Sequence, residues 1–206
     1  MLGLFALTSE GLQGALIQMV NHGLSTGALF LLVGVIYERR HTRLIAEFGG
    51  LSKVMPLYAV FFMVVMLSSV GLPGLNGFVG EFLILIGTYT SHIPYAKYYA
   101  VLAATGVIFA ACYMLWMFQR VMFGPITNDK NKNLPDLNKR EIVYLSLILV
   151  FIVWIGVYPK TFLDRSQATI DHTILLIDKG HKQTLAQWNP QSAQESILFA
   201  LKGQRQ

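Results

Sequence analysis

Glu81 lies in Gly71-Leu-Pro-Gly-Leu-Asn-Gly-Phe-Val-Gly-Glu81-Phe-Leu-Ile-Leu-Ile-Gly87, with apolar sequence on both sides and no basic residue nearby. A carboxyl group at membrane depth costs about 2.5–3.5 kcal/mol on insertion scales. Such a residue usually faces a bundle interior or a water-filled path and takes part in ion or proton movement. Pro73 and Gly74 break the helical pattern just before it. Irregular backbone at that depth is tolerated only where it is buried in protein or lines a cavity. His22, in Asn21-His22-Gly-Leu-Ser-Thr26, is the second candidate, because an imidazole exchanges protons in the physiological pH range. Both residues also have plain readings. Glu81 would then be a protonated carboxyl hydrogen-bonded in a helix contact, and His22 a satisfied polar side chain. Asn21, Ser25 and Thr26 either hold waters beside His22 or bond neighbouring helices. The pattern contains no catalytic constellation. His22 has no metal-ligand partner at helical spacing, and Cys112, the only cysteine, rules out an internal disulfide or a cysteine metal cluster.

The surrounding sequence is that of a membrane protein. The chain has 206 residues, 54% hydrophobic and only 13% charged, where a soluble domain carries about 25% charged residues. Its net charge of +5 is not the footprint of a nucleic-acid binder, because the basic residues fall between apolar runs. Such residues set topology, since cytoplasmic loops are enriched in Lys and Arg. The start, Met1-Leu-Gly-Leu-Phe-Ala-Leu7, lacks the basic region of a secretory signal.

The apolar segments predict about four transmembrane helices. Gly11 to Tyr37 is free of Asp, Glu, Lys and Arg and long enough to cross; its Gly23 and Gly27 form a GxxxG pair suited to helix contacts. Pro56–Val70 and Phe78–Thr90 are both short, with the Pro73-Gly74 break between them. Ala96–Met122 and Glu141–Tyr158 are further spans. The loops around Arg39, Arg40, His41, Arg43 and Lys53 and around Arg120, Lys130, Lys132, Lys139 and Arg140 are both basic and are expected to be solvated. They lie on one side of the membrane only if Pro56–Thr90 is a single discontinuous span, as the positive-inside rule favours. Tyr113 and Trp116 are expected to pack within their span; Trp154 and Tyr158 suit an interfacial belt. The fold expected is an all-α membrane protein with residues 1–160 as the transmembrane domain. Residues 161–206 form a tail, whose Thr161–Asp178 part suits an interfacial amphipathic helix and whose Gln-rich end is mobile. Gln18, Asn21, His22 and Ser25 present more polar surface than four spans cover, so further helices or subunits are expected as partners.

Several blocks resemble one family in the same order. They are Gly11-Leu-Gln-Gly-Ala-Leu-Ile-Gln-Met-Val-Asn-His22-Gly-Leu-Ser-Thr-Gly-Ala-Leu-Phe30, Tyr37-Glu-Arg-Arg-His-Thr-Arg43, Leu72-Pro-Gly74, Phe78-Val-Gly-Glu-Phe82, Asp136-Leu-Asn-Lys-Arg-Glu141 and Gly156-Val-Tyr-Pro-Lys160. From about Leu7 to about Asp178 the chain is similar to the antiporter-like membrane subunits of respiratory complex I (NADH–quinone oxidoreductase), in particular the chain M or mitochondrial subunit 4 type. The resemblance implies the C-terminal part only of a subunit more than twice as long. It implies that Glu81 matches the glutamate of the second broken helix and His22 the histidine of the inner helix beside it, both in proton transfer. It also implies that NAD, flavin, iron–sulfur clusters and quinone belong to partner subunits, with none bound by this chain. The partners implied are the other complex I membrane subunits, the remaining part of the same subunit and the lipid of a bacterial plasma membrane or mitochondrial inner membrane. Multi-subunit cation/proton antiporters resemble the same family but usually carry a lysine where Glu81 stands. An inert structural membrane fragment is the reading from outside transport.

Overall fold

The computed structural model describes residues 1–188, and among these every regular element is helical. The α-helices are α1 (Leu2–Phe5), α2 (Ser9–Arg40), α3 (Leu51–Val54), α4 (Pro56–Val70), α5 (Asn76–Tyr89), α6 (Ala96–Met122), α7 (Lys139–Val157) and α8 (Lys160–Trp188). Three of them, α2, α6 and α7, are long and apolar enough to cross a membrane, and α4 is a shorter apolar helix. Met1–Arg165 forms one compact unit, which holds the features below; α8 continues past it into a second unit. The Thr161–Asp178 segment lies within α8. The Gln-rich end expected to be mobile falls largely on 189–206, outside the described residues.

Each boundary has a local cause. Thr8 caps α2 by accepting from the Gly11 amide at 3.1 Å. Pro56 opens α4, where its missing N–H costs nothing. Asp136, from the loop before α7, accepts from the amides of Leu57 and Tyr58 at 2.9 and 3.1 Å and so satisfies that helix start. Asn138 and Glu141 form a capping box at the start of α7. Gly71 ends α4 at φ 83°, a left-handed conformation that glycine adopts without strain, and its amide bonds back to the Leu67 and Ser68 carbonyls.

The long helix α2 is the spine. Tyr58 on α4 donates to the Leu32 carbonyl, Ser68 at the end of α4 meets Ser25, Asn76 at the start of α5 meets Asn21, and Thr8 donates to the Gly87 carbonyl near the end of α5. Numbers rise along α4 and then α5 while they fall along α2. The two short helices are therefore consecutive pieces of one path antiparallel to α2, a single discontinuous span with the break at 71–75. The core around Leu32, Tyr58, Met66, Met122 and Ile152 fills the space between α2, α4, α6 and α7.

The two basic loops meet at one end of the bundle. Gly50 donates to the Phe123 carbonyl, Ser52 to that of Met122, and Asn128 and Asn131 donate to the Glu47 carboxylate and carbonyl. The expectation of a solvated loop is wrong for two of the arginines. Arg39 is in the last turn of α2 and uses all five donors: on Glu141 at 2.7 and 3.0 Å, and on the carbonyls of Val35, Pro135 and Asp136. The Arg39 and Glu141 side chains are only 11% and 7% exposed. Arg40 is covered too, 3.7 Å from Glu47. A carbonyl of α2 and two in the loop before α7 converge with the Glu141 carboxylate on this one group, and the planar guanidinium supplies donors to all of them at once.

Helix contacts also differ from the GxxxG expectation. A Cβ added at Gly23 or Gly27 would meet no other element within 4 Å, whereas Gly14, on another face of α2, is pressed on α5: a Cβ there would sit 2.7 Å from the Ile84 nitrogen. Tyr113 and Trp116 are exposed on α6 rather than packed inside, because α6 meets the bundle along another stripe.

Arg39→Leu should leave Glu141 buried without its cation and lower stability by about 3 kcal/mol. Thermal unfolding of the purified membrane protein would read this as a fall in transition temperature. The Arg39→Leu/Glu141→Leu double variant should regain part of the loss. Unchanged stability in Arg39→Leu would contradict the assignment of the pair as a clamp.

Candidate proton-transfer site

The site forms where α2 passes the break. With no Cβ on Gly80, the side chain of Gln18 lies directly against α5, and a side chain at Gly14 would likewise force the helices apart. This close approach brings Asn21 to the first turn of α5. Its Nδ2 donates to the Asn76 carbonyl at 2.6 Å, while Asn76 Nδ2 donates to the Asn21 carbonyl at 3.3 Å. Ser25 and Ser68 stand with their hydroxyls 2.8 Å apart, and both reach Asn76 Oδ1. Asn21, Ser25, Ser68 and Asn76 are all buried.

Beside this cluster is a cavity of about 190 Å³. Its wall takes Gln18, His22 and Thr26 from α2, Ser69 from α4, Glu81 from α5 and Tyr113 from α6. The structure thus brings the two sequence-derived candidates, Glu81 and His22, to one cavity from different helices. Glu81 is half-buried and its carboxylate lies against Gly71, the glycine that ends α4. Any side chain at Gly71 would enter the carboxylate's position, so the end of α4 and the placement of Glu81 depend on the same residue. His22 is exposed on α2 where it borders the cavity, with Nδ1 3.2 Å from the Thr26 hydroxyl one turn on. Pro73 and Gly74 lie in the break itself, where Gly74 is the second residue with positive φ, at 92°. They shape the path of the chain and do not line the cavity. Gly156 of α7 lies against Gly74 and Leu75 and supports the break from the other side.

The polar surface expected on α2 divides into two parts. Asn21 and Ser25 are covered by α4 and α5, whereas His22 is not. Sequence reasoning misses Ser68 and Asn76 and takes Tyr113 for ordinary packing. Asn76 was hidden among turn-forming residues; Ser68 and Tyr113 lay in apolar helices. No group of three or more His, Cys, Asp or Glu residues arranged to hold a metal ion occurs among the described residues.

The chemistry available is proton exchange. A carboxyl and an imidazole share the cavity with five side-chain hydroxyls, those of Ser25, Thr26, Ser68, Ser69 and Tyr113, and no Lys or Arg lines it. Gln18 Oε1 and Asn21 Oδ1 are buried oxygens without a protein donor, which water satisfies where the space is polar and wide enough. The volume has room for several water molecules.

These features define a polytopic membrane protein with a carboxyl-bearing cavity at a broken helix. Its relatives make the class specific. Residues 1–103 match the transmembrane family described as NADH:quinone oxidoreductase/Mrp antiporter, and the chain belongs to that family. It is 41% identical over 174 residues to NADH-quinone oxidoreductase subunit M of Rickettsia prowazekii (strain Madrid E), covering 84% of this chain and 35% of the relative. It is 40% identical over 173 residues to NADH-ubiquinone oxidoreductase chain 4 of Arabidopsis thaliana, covering 84% and 34%. Among solved structures, a chain of respiratory complex I from Thermus thermophilus with bound NADH is similar at a TM-score of 0.73 with 35% identity, over 84% of this chain and 35% of that one. A chain of the Mrp complex from Dietzia sp. DQ12-45-1b shares the fold at a TM-score of 0.67 and 19% identity, over 82% and 39%. The chain therefore spans about a third of the length of the relatives it matches. With this family and its apolar helices, it is an integral membrane protein.

If the cavity holds water, a cysteine at its wall should react with a membrane-impermeant thiol reagent. In a Cys112→Ser background, Ser69→Cys should be modified quickly and Val65→Cys, one turn away in the core, slowly. Equal, slow modification of both would show the cavity to be dry.

Proposed function

We propose that this chain is part of a proton-translocating membrane subunit of an NADH–quinone oxidoreductase. The observation that carries the reading is the shared cavity: a carboxyl from α5 and an imidazole from α2 line one polar space beside a helix break. In this reading, redox energy released elsewhere in the complex alters the electrostatics along the membrane subunits. Protons then pass between side chains and water, with His22 as an internal relay and Glu81 as donor or acceptor for this part of the path. The break at Pro73 and Gly74 leaves the room that water needs. No covalent bond other than those to hydrogen changes in this chain. NAD, flavin, iron–sulfur clusters and quinone are held by partner subunits, and the other membrane subunits and the rest of this subunit surround the helices described here. The membrane is then the plasma membrane of a bacterium or the mitochondrial inner membrane.

Two other readings use the same fold. A cation/proton antiporter subunit is favoured only by the likeness to the Mrp complex chain, which at 19% identity speaks for the fold alone. A structural piece without proton transfer is separated from the proposal by mutation.

Glu81→Gln keeps shape and hydrogen bonding but removes the exchangeable acid. It should slow proton transfer at this step about 10²-fold and reduce protons translocated per NADH oxidised in membranes with matched complex content. Glu81→Asp should retain part of the activity, and His22→Ala should harm less than Glu81→Gln because water bridges the gap. A packing role for Glu81 gives the reverse order for Gln and Asp. Normal pumping by Glu81→Gln would sink the proposal.

A further inference from the structure

We propose that Asn76 is a positioning residue for proton transfer, acting through its reciprocal hydrogen bonds to Asn21 to set the register of Glu81 against His22. The inference rests on the proton-transfer reading above. Asn76 is the first residue of α5 and is fully buried. The N-cap position of α5 is Leu75, whose side chain offers no cap. The Asn76 amide points to α2. Its Nδ2 donates to the Asn21 carbonyl at 3.3 Å, its own carbonyl accepts from Asn21 Nδ2 at 2.6 Å, and its Oδ1 accepts from Ser25 and Ser68. One side chain thus ties together α2, the end of α4 and the start of α5.

The geometry makes this tie a register pin. A slide of one residue along a helix moves a side chain about 1.5 Å and turns it by about 100°, and either change breaks both members of a reciprocal pair. Asn21 immediately precedes His22 on α2, and Glu81 lies five residues after Asn76 on α5. The pin is therefore next to one proton-exchanging group and within two turns of the other. Proton transfer requires heavy atoms within about 2.6–3.2 Å of each other or of a bridging water, so small errors of register are costly to it. The polar cluster also suits positioning better than simple adhesion. Apolar side chains of similar volume would fill the space, but they could not specify one register.

The test compares Asn76→Leu, which removes every bond of the side chain, with Asn76→Asp, which keeps the shape and an acceptor for the serines but removes the amide donor to Asn21. Both are built into the assembled oxidoreductase at matched membrane content, beside Glu81→Gln. Two quantities are read: proton translocation during NADH oxidation, and the solvent deuterium isotope effect on coupled turnover. We expect about a two- to tenfold loss of proton translocation in both Asn76 variants. We also expect a larger isotope effect than in wild type, because a misplaced donor makes the proton step limiting. A merely structural role lowers turnover through fewer intact complexes and leaves the isotope effect unchanged. That result, wild-type pumping in both variants, or failure of both to assemble would overturn the inference while Glu81→Gln remains impaired. Normal pumping by Glu81→Gln instead removes the reading beneath it, and the positioning role falls with it.

Discussion

A helix interrupted inside an apolar bundle must be held to its neighbours at the break, and the pairing of Asn21 with Asn76 is the contact on which this structure turns. The end of α4 is closed by Gly71 and Leu72, whose amides bond back to Leu67 and Ser68. The start of α5 has no side-chain cap of its own. It is held by α2, which offers the Asn21 amide to the Asn76 carbonyl.

From that contact the rest of the site follows. Small residues at Gly14 and Gly80 allow α2 and α5 to approach closely. Together with the tie at Asn76, this determines which residues of α2 face the break. The space left beside them is lined by Glu81 from α5 and His22 from α2. At the opposite end of α4, Arg39 joins the ends of α2 and α7 through Glu141, while Asp136 holds the first amides of α4. The half-helix α4 is thus anchored at both ends by polar groups and along its length by the core. The break can be open and polar without loosening the bundle.

Much of this was legible in the sequence, for identifiable reasons. Pro56 and the glycine at 71 punctuate α4, and the bounds expected for it and for Ala96–Met122 are those observed. The single broken span was read from the sidedness of the basic loops, and the hydrogen bonds along α2 agree with it. Glu81 and His22 were conspicuous because ionisable residues are rare in apolar runs. Their meeting at one cavity was not legible, because it depends on α2 running antiparallel to α5 at one particular register. Arg39 looked like a solvated loop residue because its partner Glu141 lies 102 positions away. The choice of Gly14 over Gly23 and Gly27 is likewise tertiary: a glycine pair shows that a helix can approach another, and the neighbouring helix decides which face is used.

The central claim is that Glu81 changes protonation state while the assembled oxidoreductase works. Infrared difference spectroscopy of the membrane-bound complex, with and without NADH-driven turnover, reads this at the carboxyl carbonyl stretch. The account predicts a difference band in wild type that shifts in deuterium oxide and is missing in Glu81→Gln at equal complex content. The same difference spectrum in wild type and in Glu81→Gln would contradict it.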